Sequence, residues 1–465
     1  FQPVFPESSW EMASPSEMGM DSEKLDQAIR YAGGSGYIIR SGKVVKAWGD
    51  PKALYPLRST TKSVGSIAFA LAVGDGLLSL DDFAILKHPS FGVPPNANLT
   101  TGWLPQITLR HLAAHTSGFD EPPDNNSLIF QPGTQWHYSN SGTNWLAEIT
   151  TLAFRRDLNS VLFNRVFTPI GIRSDDLTWR RHQYRATTIN GIPNREFASG
   201  INANVDALAR IGYLFLREGN WNGQQLIPES YINMARLPLI GVYGLPEHNN
   251  CAAYNASDHY GLLWWNNADA TLPEVPRDTY WSWGLNESLI VIYPSLDVVA
   301  VRAGEALQNG WSPDYAVVRP FIENIALSVT DRPATTVSRT MPEGAVTTID
   351  IYAAPVGSPK MELWIQDQPV QSFHVAGGDH TTCNFLKYSY TTSDNIPVNQ
   401  IKVAFVNDSR TNDLVVDKIV VNGIPYESES PDTFNTGAYV DGDCRSRGGY
   451  YQREMLSCNG YLRYG

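Results

Sequence analysis

Residues 55–82, YPLRSTTKSVGSIAFALAVGDGLLSLDD, open on the one Ser-x-x-Lys of the chain, Ser59 to Lys62. Behind it Val64, Ile67, Ala68 and Leu71 recur at helical spacing, and the pattern stops at Gly74-Asp75-Gly76. Positions three apart share a helix face, so the Lys62 amine can reach the Ser59 hydroxyl, which sets a base beside a nucleophile. A Ser ahead of an apolar helix is also a common N-cap. A capping box, however, asks for Glu or Gln three residues on, and a cation in the first turn faces the positive end of the helix dipole. Lys62 is costly there unless partly neutral, and the same field together with burial pushes its pKa toward that of a usable base.

A second polar cluster follows. The run FQPGTQWHYSNSGTNWLAEIT (130–150) sets Tyr138 and Asn140 in a loop between a Pro-Gly turn and a helix carrying Trp145, Leu146 and Ile149. A phenol beside a serine relays protons, and an Asn amide can hold Lys62 or a substrate carbonyl. As plain structure, YSNSG is a turn with an aromatic anchor. Just upstream, ITLRHLAAHTSGFD (107–120) reads as a short helix ending in a tight HTSG turn, with His115 stabilising the turn rather than catalysing. A second Tyr-x-Asn, Tyr231-Ile232-Asn233, falls within a helical pattern after a Pro and reads as structure.

The frame around these motifs is a chain of 465 residues, more than one hydrophobic core usually organises, so two domains are expected. Hydrophobic residues make up 42 % and charged ones 18 %, which excludes a disordered chain. Acidic residues outnumber basic ones by 47 to 35, and no long Lys/Arg run exists, so nucleic acid is not an expected partner. No apolar stretch reaches the roughly 20 residues of a membrane span. Phe1 reads as a processed or trimmed start rather than a signal peptide. Thirteen Trp and 22 Tyr fit either the aromatic surface of a carbohydrate-active protein or an aromatic core.

Near residue 330 the character changes. The run SVTDRPATTVSRTMPEG (328–344) has the Pro, Thr and Ser content of a linker, placed at 331–344 between domains at 1–330 and 345–465. Beyond it VTTIDIYAA (346–354), KMELWIQD (360–367), QIKVAFVND (400–408) and DLVVDKIVVNG (413–423) are β-branched or alternating runs separated by turn residues. No helix is evident, so this part reads as a β-sandwich. Cys444 and Cys458 lie 14 apart in loop-like sequence and are expected to form a disulfide, which favours an oxidising compartment. Cys251 and Cys383 fall in different domains, and their pairing stays open.

Taken together, Ser59-Thr-Thr-Lys62, LRHLAAHTSG, the PG..WHYSN block and FASGINANVDALARIG (197–212) resemble the serine β-lactamase-like hydrolases over residues 10–327. That group includes class C β-lactamases, D-Ala-D-Ala carboxypeptidases and β-lactamase-fold esterases. The resemblance implies that Ser59 is acylated, that Lys62 and Tyr138 share the base and acid work, and that Asn140 binds substrate. A third motif, Lys-Thr-Gly or His-x-Gly, closes such sites; here Ser282-Trp283-Gly284 stands in its place in YWSWGLNESLIVIYPSLDVVAVRAG (280–304), while His259-Tyr260-Gly261 is a decoy. The implied oxyanion hole is the backbone N–H of Ser59 and of Leu285, which the side-chain change does not affect. The missing Lys removes the cation that grips a substrate carboxylate, and Trp281 and Trp283 are expected to offer flat apolar or sugar-stacking surface with Ser282 and Gly284. An esterase is favoured over a β-lactamase.

The stretch from FVND (405–408) through VDKIVVNG, NTGAY and DGDC to CNG (458–460) resembles the calcium-dependent xylan-binding carbohydrate-binding modules over residues 340–465. The resemblance implies calcium held by loop carboxylates and carbonyls, with Asp408 and Asp413 as candidates. Asp417, alternating with Val415, Val416 and Ile419 in a strand, reads instead as a buried structural carboxylate. Ser393-Asp394-Asn395 imitates a penicillin-binding motif but lies in this domain. The expected fold class is α+β: a β-lactamase/transpeptidase-like domain, with an antiparallel sheet flanked by helices and a helical subdomain, then a jelly-roll-like β-sandwich. The expected function is a secreted or periplasmic serine hydrolase. It would act as a carboxylesterase or carbohydrate esterase on small or carbohydrate esters and be held on polysaccharide by its C-terminal module, with no cofactor for catalysis. An amidase, D-amino-acid peptidase or β-lactam-interacting enzyme of the same fold, and a carbohydrate-binding protein with a degenerate hydrolase domain, are the alternatives.

Overall fold

The structure, a computed structural model, describes residues 2–237, 242, 245, 247, 248, 259–268, 271, 272, 274–307, 315–331, 347–382, 384–422, 424–430, 432–445 and 448–464. Cys251, Cys383 and, apart from Asp331, the expected linker lie outside these residues. The chain divides into two compact units, one drawn from Phe1–Leu245, Ala256–Asn267 and Glu274–Pro333, the other including Ala334–Gly465.

The sheet of the first unit contains β1 (Glu11–Met12), β2 (Ser35–Arg40), β3 (Lys43–Trp48), β4 (Trp265–Asn266), β5 (Tyr280–Gly284), β6 (Ser288–Tyr293) and β7 (Val298–Ala303). Their spatial order is β1-β3-β2-β7-β6-β5-β4. Every neighbouring pair is antiparallel except β1, which runs parallel to β3 at the edge. The tight β2–β3 connection is made by Ser41 at φ 50° and Gly42 at φ 84°, the two positive angles a type I′ hairpin needs. A Cβ at Gly42 would also come within 1.8 Å of the Val4 carbonyl oxygen.

Strands β6 and β7 read SLIVIY and VVAVRA, and every one of their residues is buried. Runs apolar on both faces demand cover on both faces. Helices α1 (Ser22–Ala32), α2 (Thr60–Gly74), α4 (Val205–Leu216) and α5 (Arg319–Ser328) supply it, and α3 (Asn140–Phe154) packs on α2. On one face α4 approaches so closely that a Cβ on Gly212 would lie 2.9 Å from Ile290 and 2.7 Å from Val299. Tyr293, of opposite parity, donates its hydroxyl to the Ile322 carbonyl of α5 at 3.0 Å, and α5 packs on α1. Helix α2 is buried from Thr60 to Ala72 and packs against α3, in line with the expected helical subdomain.

The second unit is a pair of sheets formed by β8 (Thr347–Val356), β9 (Lys360–Ile365), β10 (Gln368–His374), β11 (Leu386–Thr392), β12 (Ile401–Phe405), β13 (Asp413–Val421), β14 (Ile424–Glu427), β15 (Phe434–Asn435), β16 (Met455–Leu456) and β17 (Gly460–Arg463). One sheet runs β11-β8-β13-β14, with β16 beside β13, and the other β10-β9-β12-β17-β15. Ile349, Ile351, Met361, Leu363, Val403, Phe405, Val416 and Ile419 meet in its core. Val416 and Ile419 are three apart, which simple alternation forbids. The register supplies the reason: Tyr352 faces Lys418 and Ala353 faces Val416, so Asp417 is the extra residue of a β-bulge that reverses the alternation. Asp417 is only part-buried, short of the burial expected from sequence, with its carboxylate 3.3 Å from Lys418 Nζ. Edge strand β10, mostly exposed, lacks the apolar alternation that would have announced it, whereas β11 alternates Leu386, Tyr388 and Tyr390 with polar residues and packs its tyrosines against the core. Cys444 and Cys458 form the expected disulfide, with Cα atoms 6.0 Å apart.

Candidate active site

Ser59 occupies the N-cap position of α2 at φ −67° and ψ −12°, but its side chain makes no capping hydrogen bond. In αR geometry its hydroxyl cannot turn back onto the first-turn N–H groups. Lys62, 2 % exposed, directs Nζ at Ser59 Oγ (3.1 Å), Asn140 Oδ1 (2.5 Å) and the Ala198 carbonyl (3.0 Å). Three acceptors take the three protons of an ammonium; loss of one proton leaves a lone pair able to accept from the Ser59 hydroxyl. Burial lowers the Lys62 pKa to about 7, opposed by the negative charges of Glu121 and Glu196. Nζ also lies 4.6 Å from the centre of the Tyr138 ring. Glu196 is fully buried and ion-paired to Arg180; burial raises its pKa, and Arg180 and Lys62 work against that rise.

The loop holding Tyr138 and Asn140 is braced from beneath. Ser139 donates its N–H to His115 Nδ1 at 3.0 Å, which leaves the ring proton on Nε2, 3.1 Å from the Tyr260 hydroxyl. The His115 carbonyl accepts the His137 N–H at 2.8 Å. Burial, and then the neighbouring Lys62 charge, hold the His115 pKa well below the ordinary value, so the ring is neutral. At φ 60° it is the pivot of the HTSG turn, as the sequence suggested. Its ring lies 4.6 Å from that of Tyr138, which stacks on Trp265 at 6.3 Å. Ser139 caps α3 by accepting the Gly142 N–H and donates its own proton to the Asp120 carbonyl. Asn140 donates its backbone N–H to the Glu121 carbonyl at 3.0 Å and Nδ2 to Glu121 Oε1 at 2.5 Å.

Asn140 holds Lys62, one of the two tasks its amide could have from sequence, and one of its Nδ2 protons goes to Glu121. Three residues expected to bind substrate sit otherwise. Trp281 is fully buried and Trp283 is 4 % exposed, so neither lies at the mouth of the site. Strand β5 is covered on both faces, and its indoles are spent on each other's neighbours: Trp281 meets Tyr315 at 5.5 Å, and Trp283 meets Trp265 at 5.6 Å and Tyr315 at 5.5 Å. Ser282 points the opposite way and accepts the Thr60 hydroxyl at 3.1 Å and the Ile290 N–H at 3.0 Å, which ties the strand to α2. Gly284 does border the turn that carries Ser59: a Cβ there would lie 2.1 Å from the Leu57 carbonyl oxygen and 3.0 Å from the Thr60 nitrogen. Leu285, next in the chain, is 40 % exposed.

Glu121, Glu196 and Tyr260 were not foreseen. Glu121 stands in the acidic turn FDEPPD and Glu196 in PNREFASG, where no spacing marks either; Tyr260 belongs to the decoy His259-Tyr260-Gly261, and only the fold brings its hydroxyl to His115. Tyr231 behaves as structure, buried in its helix against Phe69.

In the second unit Asp408 and Asp413 flank a tight turn whose Ser409 and Asn412 bridge antiparallel, and Asp413 begins β13. The Asp408 carboxylate also lies within 4.8 Å of the Cys444 and Cys458 sulfurs, the one such group of three or more His, Cys, Asp or Glu among the described residues. Disulfide sulfurs are not ligands for a hard cation, so Asp408 is the one hard oxygen donor of this group, and Asp413 is not part of it.

Residues 22–301 match the family model Beta-lactamase, and residues 347–436 match the model described as Ca-dependent carbohydrate-binding module xylan-binding. An uncharacterised protein of Alkalihalophilus pseudofirmus is 24 % identical over 334 residues, 66 % of this chain and 94 % of that protein. Endo-1,4-beta-xylanase Xyn11B of Cellvibrio japonicus is 40 % identical over 84 residues, 18 % of this chain, and the chain spans only 22 % of that enzyme. A penicillin-binding protein homologue from Caulobacter crescentus superposes with a TM-score of 0.53 at 18 % identity, over 70 % of this chain and all of that one. No described helix is long and apolar enough to cross a membrane.

Proposed function

The chain belongs to the beta-lactamase family, and we propose that it is a serine esterase acting through an acyl-enzyme on Ser59. The observation that carries this reading is the buried Lys62 amine, 3.1 Å from Ser59 Oγ and with a pKa near neutrality. The neutral amine takes the Ser59 proton as Oγ bonds to the ester carbonyl carbon, and the carbonyl π electrons move onto oxygen. The backbone N–H groups of Ser59 and Leu285 receive that oxyanion. As the C–O bond to the alcohol breaks, Tyr138 supplies its proton and is reprotonated from Lys62. Water then adds to the acyl carbon, giving a proton to the same pair, and the Ser59–acyl bond breaks to release the acid and restore the hydroxyl. Ester substrates are favoured over β-lactams because Ser282 replaces the Lys that holds a carboxylate, and its hydroxyl is already engaged by Thr60 and Ile290.

The C-terminal domain, with its match to a calcium-dependent xylan-binding module, is assigned the task of holding the enzyme on acylated polysaccharide of the xylan type. Asp408 and Asp413 would hold the calcium, which when bound offers sugar hydroxyls a hard Lewis acid. The disulfide and the module support an extracellular or periplasmic setting. The test is a panel of p-nitrophenyl acetate, acetylated xylan, nitrocefin and D-amino-acid amides, run on the wild type and Ser59→Ala. Ester turnover lost in Ser59→Ala is expected. Nitrocefin or an amide as the best substrate overturns the esterase reading, and activity unchanged in Ser59→Ala overturns the nucleophile.

A further inference from the structure

Resting on the roles proposed for Ser59 and Lys62, we infer that Glu121 is a positioning residue: it holds the Asn140 amide with Oδ1 toward Lys62 and sets a negative charge one amide away from that amine. An Asn amide is nearly symmetric in shape, and a flip would turn Nδ2, a donor, against the Lys62 donors. The 2.5 Å bond from Nδ2 to Glu121 Oε1 selects the orientation in which Oδ1 accepts from Nζ at 2.5 Å. The loop itself is anchored independently, because the Asn140 N–H bonds to the Glu121 backbone carbonyl at 3.0 Å. Changing the side chain therefore leaves the loop tied down.

The charge has its own consequence. Lys62 is faced by Ser59 from its own turn, by the Tyr138 ring and Asn140 from the following loop, by His115 from beneath, and by Glu196 and the Ala198 carbonyl from the segment opposite. His115 is neutral, and Glu196 is spent on Arg180. Beside Glu121, Asp120 pairs with His137 at 3.5 Å. Glu121 bonds instead to a neutral amide, so its charge acts on Lys62 with no guanidinium among the described residues bonded to the same carboxylate to offset it. It stabilises the ammonium and delays deprotonation as pH rises, which makes Ser59 reactive over a higher pH range than burial alone would set.

The full chain is labelled with a fluorophosphonate, and the second-order rate at Ser59 is followed against pH for the wild type and for Glu121→Gln, Glu121→Asp and Glu121→Ala. In the labelling step the Ser59 Oγ–P bond forms, the P–F bond breaks with loss of fluoride, and the serine proton passes to Lys62. Gln keeps the acceptor and loses the charge, so the midpoint falls by about one pH unit with a plateau near that of the wild type. Asp keeps the charge on a shorter arm, so the midpoint stays and the plateau drops. Ala loses both, lowering midpoint and plateau together; should the Gln variant not fold, Asp against Ala reads the same charge. Folded Gln and Ala variants that retain the wild-type midpoint overturn the role of Glu121. A wild type that is not labelled at Ser59 overturns instead the nucleophile on which the inference rests.

Discussion

The backbone N–H of Ser139 donates to His115 Nδ1 at 3.0 Å, so a buried neutral imidazole on one turn fixes the loop that carries Tyr138 and Asn140. His115→Ala strands that N–H and the Tyr260 hydroxyl without their partner. An unpaired buried polar group costs about 1–3 kcal/mol, so the substitution should destabilise by roughly 2–4 kcal/mol in urea unfolding and lower kcat more than it raises KM. His115→Asn, which can supply one acceptor, should recover part of both.

The Lys62 pKa of about 7 predicts an acid limb in kcat/KM with its midpoint near that pH, rate rising as the amine becomes neutral. The same group leaves a mark on stability. Its native value lies below the ordinary 10.5, so between those limits the unfolded chain binds more protons and stability rises with pH; below about 7 both states are protonated and the full cost of burying the charge remains. Lys62→Met should abolish turnover and flatten this part of the stability–pH curve measured by urea titration.

Restoring the Lys of the Lys-Thr-Gly motif should not create a β-lactamase. Ser282 is fully buried between Thr60 and Ile290, so Ser282→Lys places a longer chain and a charge in a filled interior. Loss of soluble expression, or destabilisation beyond about 3 kcal/mol, is expected in thermal melts, with no nitrocefin turnover. Ser282→Ala, which leaves the Ile290 N–H without its acceptor, should cost only about 1–3 kcal/mol.

Reduction of Cys444–Cys458 opens a link across 14 residues and should destabilise the C-terminal domain by about 3 kcal/mol, while ester turnover on small substrates stays at the wild-type level. A calorimetric scan with and without reductant separates the two domains. With calcium held by Asp408 and Asp413, chelator should lower the melting temperature of this domain and release it from xylan, and Asp408→Ala should do the same without chelator. Unchanged xylan retention in chelator would contradict the calcium assignment.

Much of this molecule was legible in its residue order because local rules decide it. Ser59 and Lys62 share a helix face by spacing alone, β6 and β7 declare themselves by apolar runs, and Cys444 and Cys458 stand in loop-like sequence of suitable span. Asp417 shows where such rules end: the bulge at that residue reverses the strand's alternation, and the pairing of β13 with β8 is what puts Val416 and Ile419 on one side. Tyr260 shows the same for the site, since a residue dismissed with its motif returns through His115, 145 positions away.

The sequence by itself determined the two fold classes and the approach of the Lys62 amine to the Ser59 hydroxyl, because these depend on spacing and composition over a few turns. Tertiary structure alone decided what surrounds the Lys62 amine and which way β5 turns its side chains. Trp281 and Trp283 are aromatic whether buried or open, and Asn140 carries an amide whether it meets substrate or Glu121; burial and hydrogen-bond partners are properties of segments far apart in the chain, set only when those segments pack.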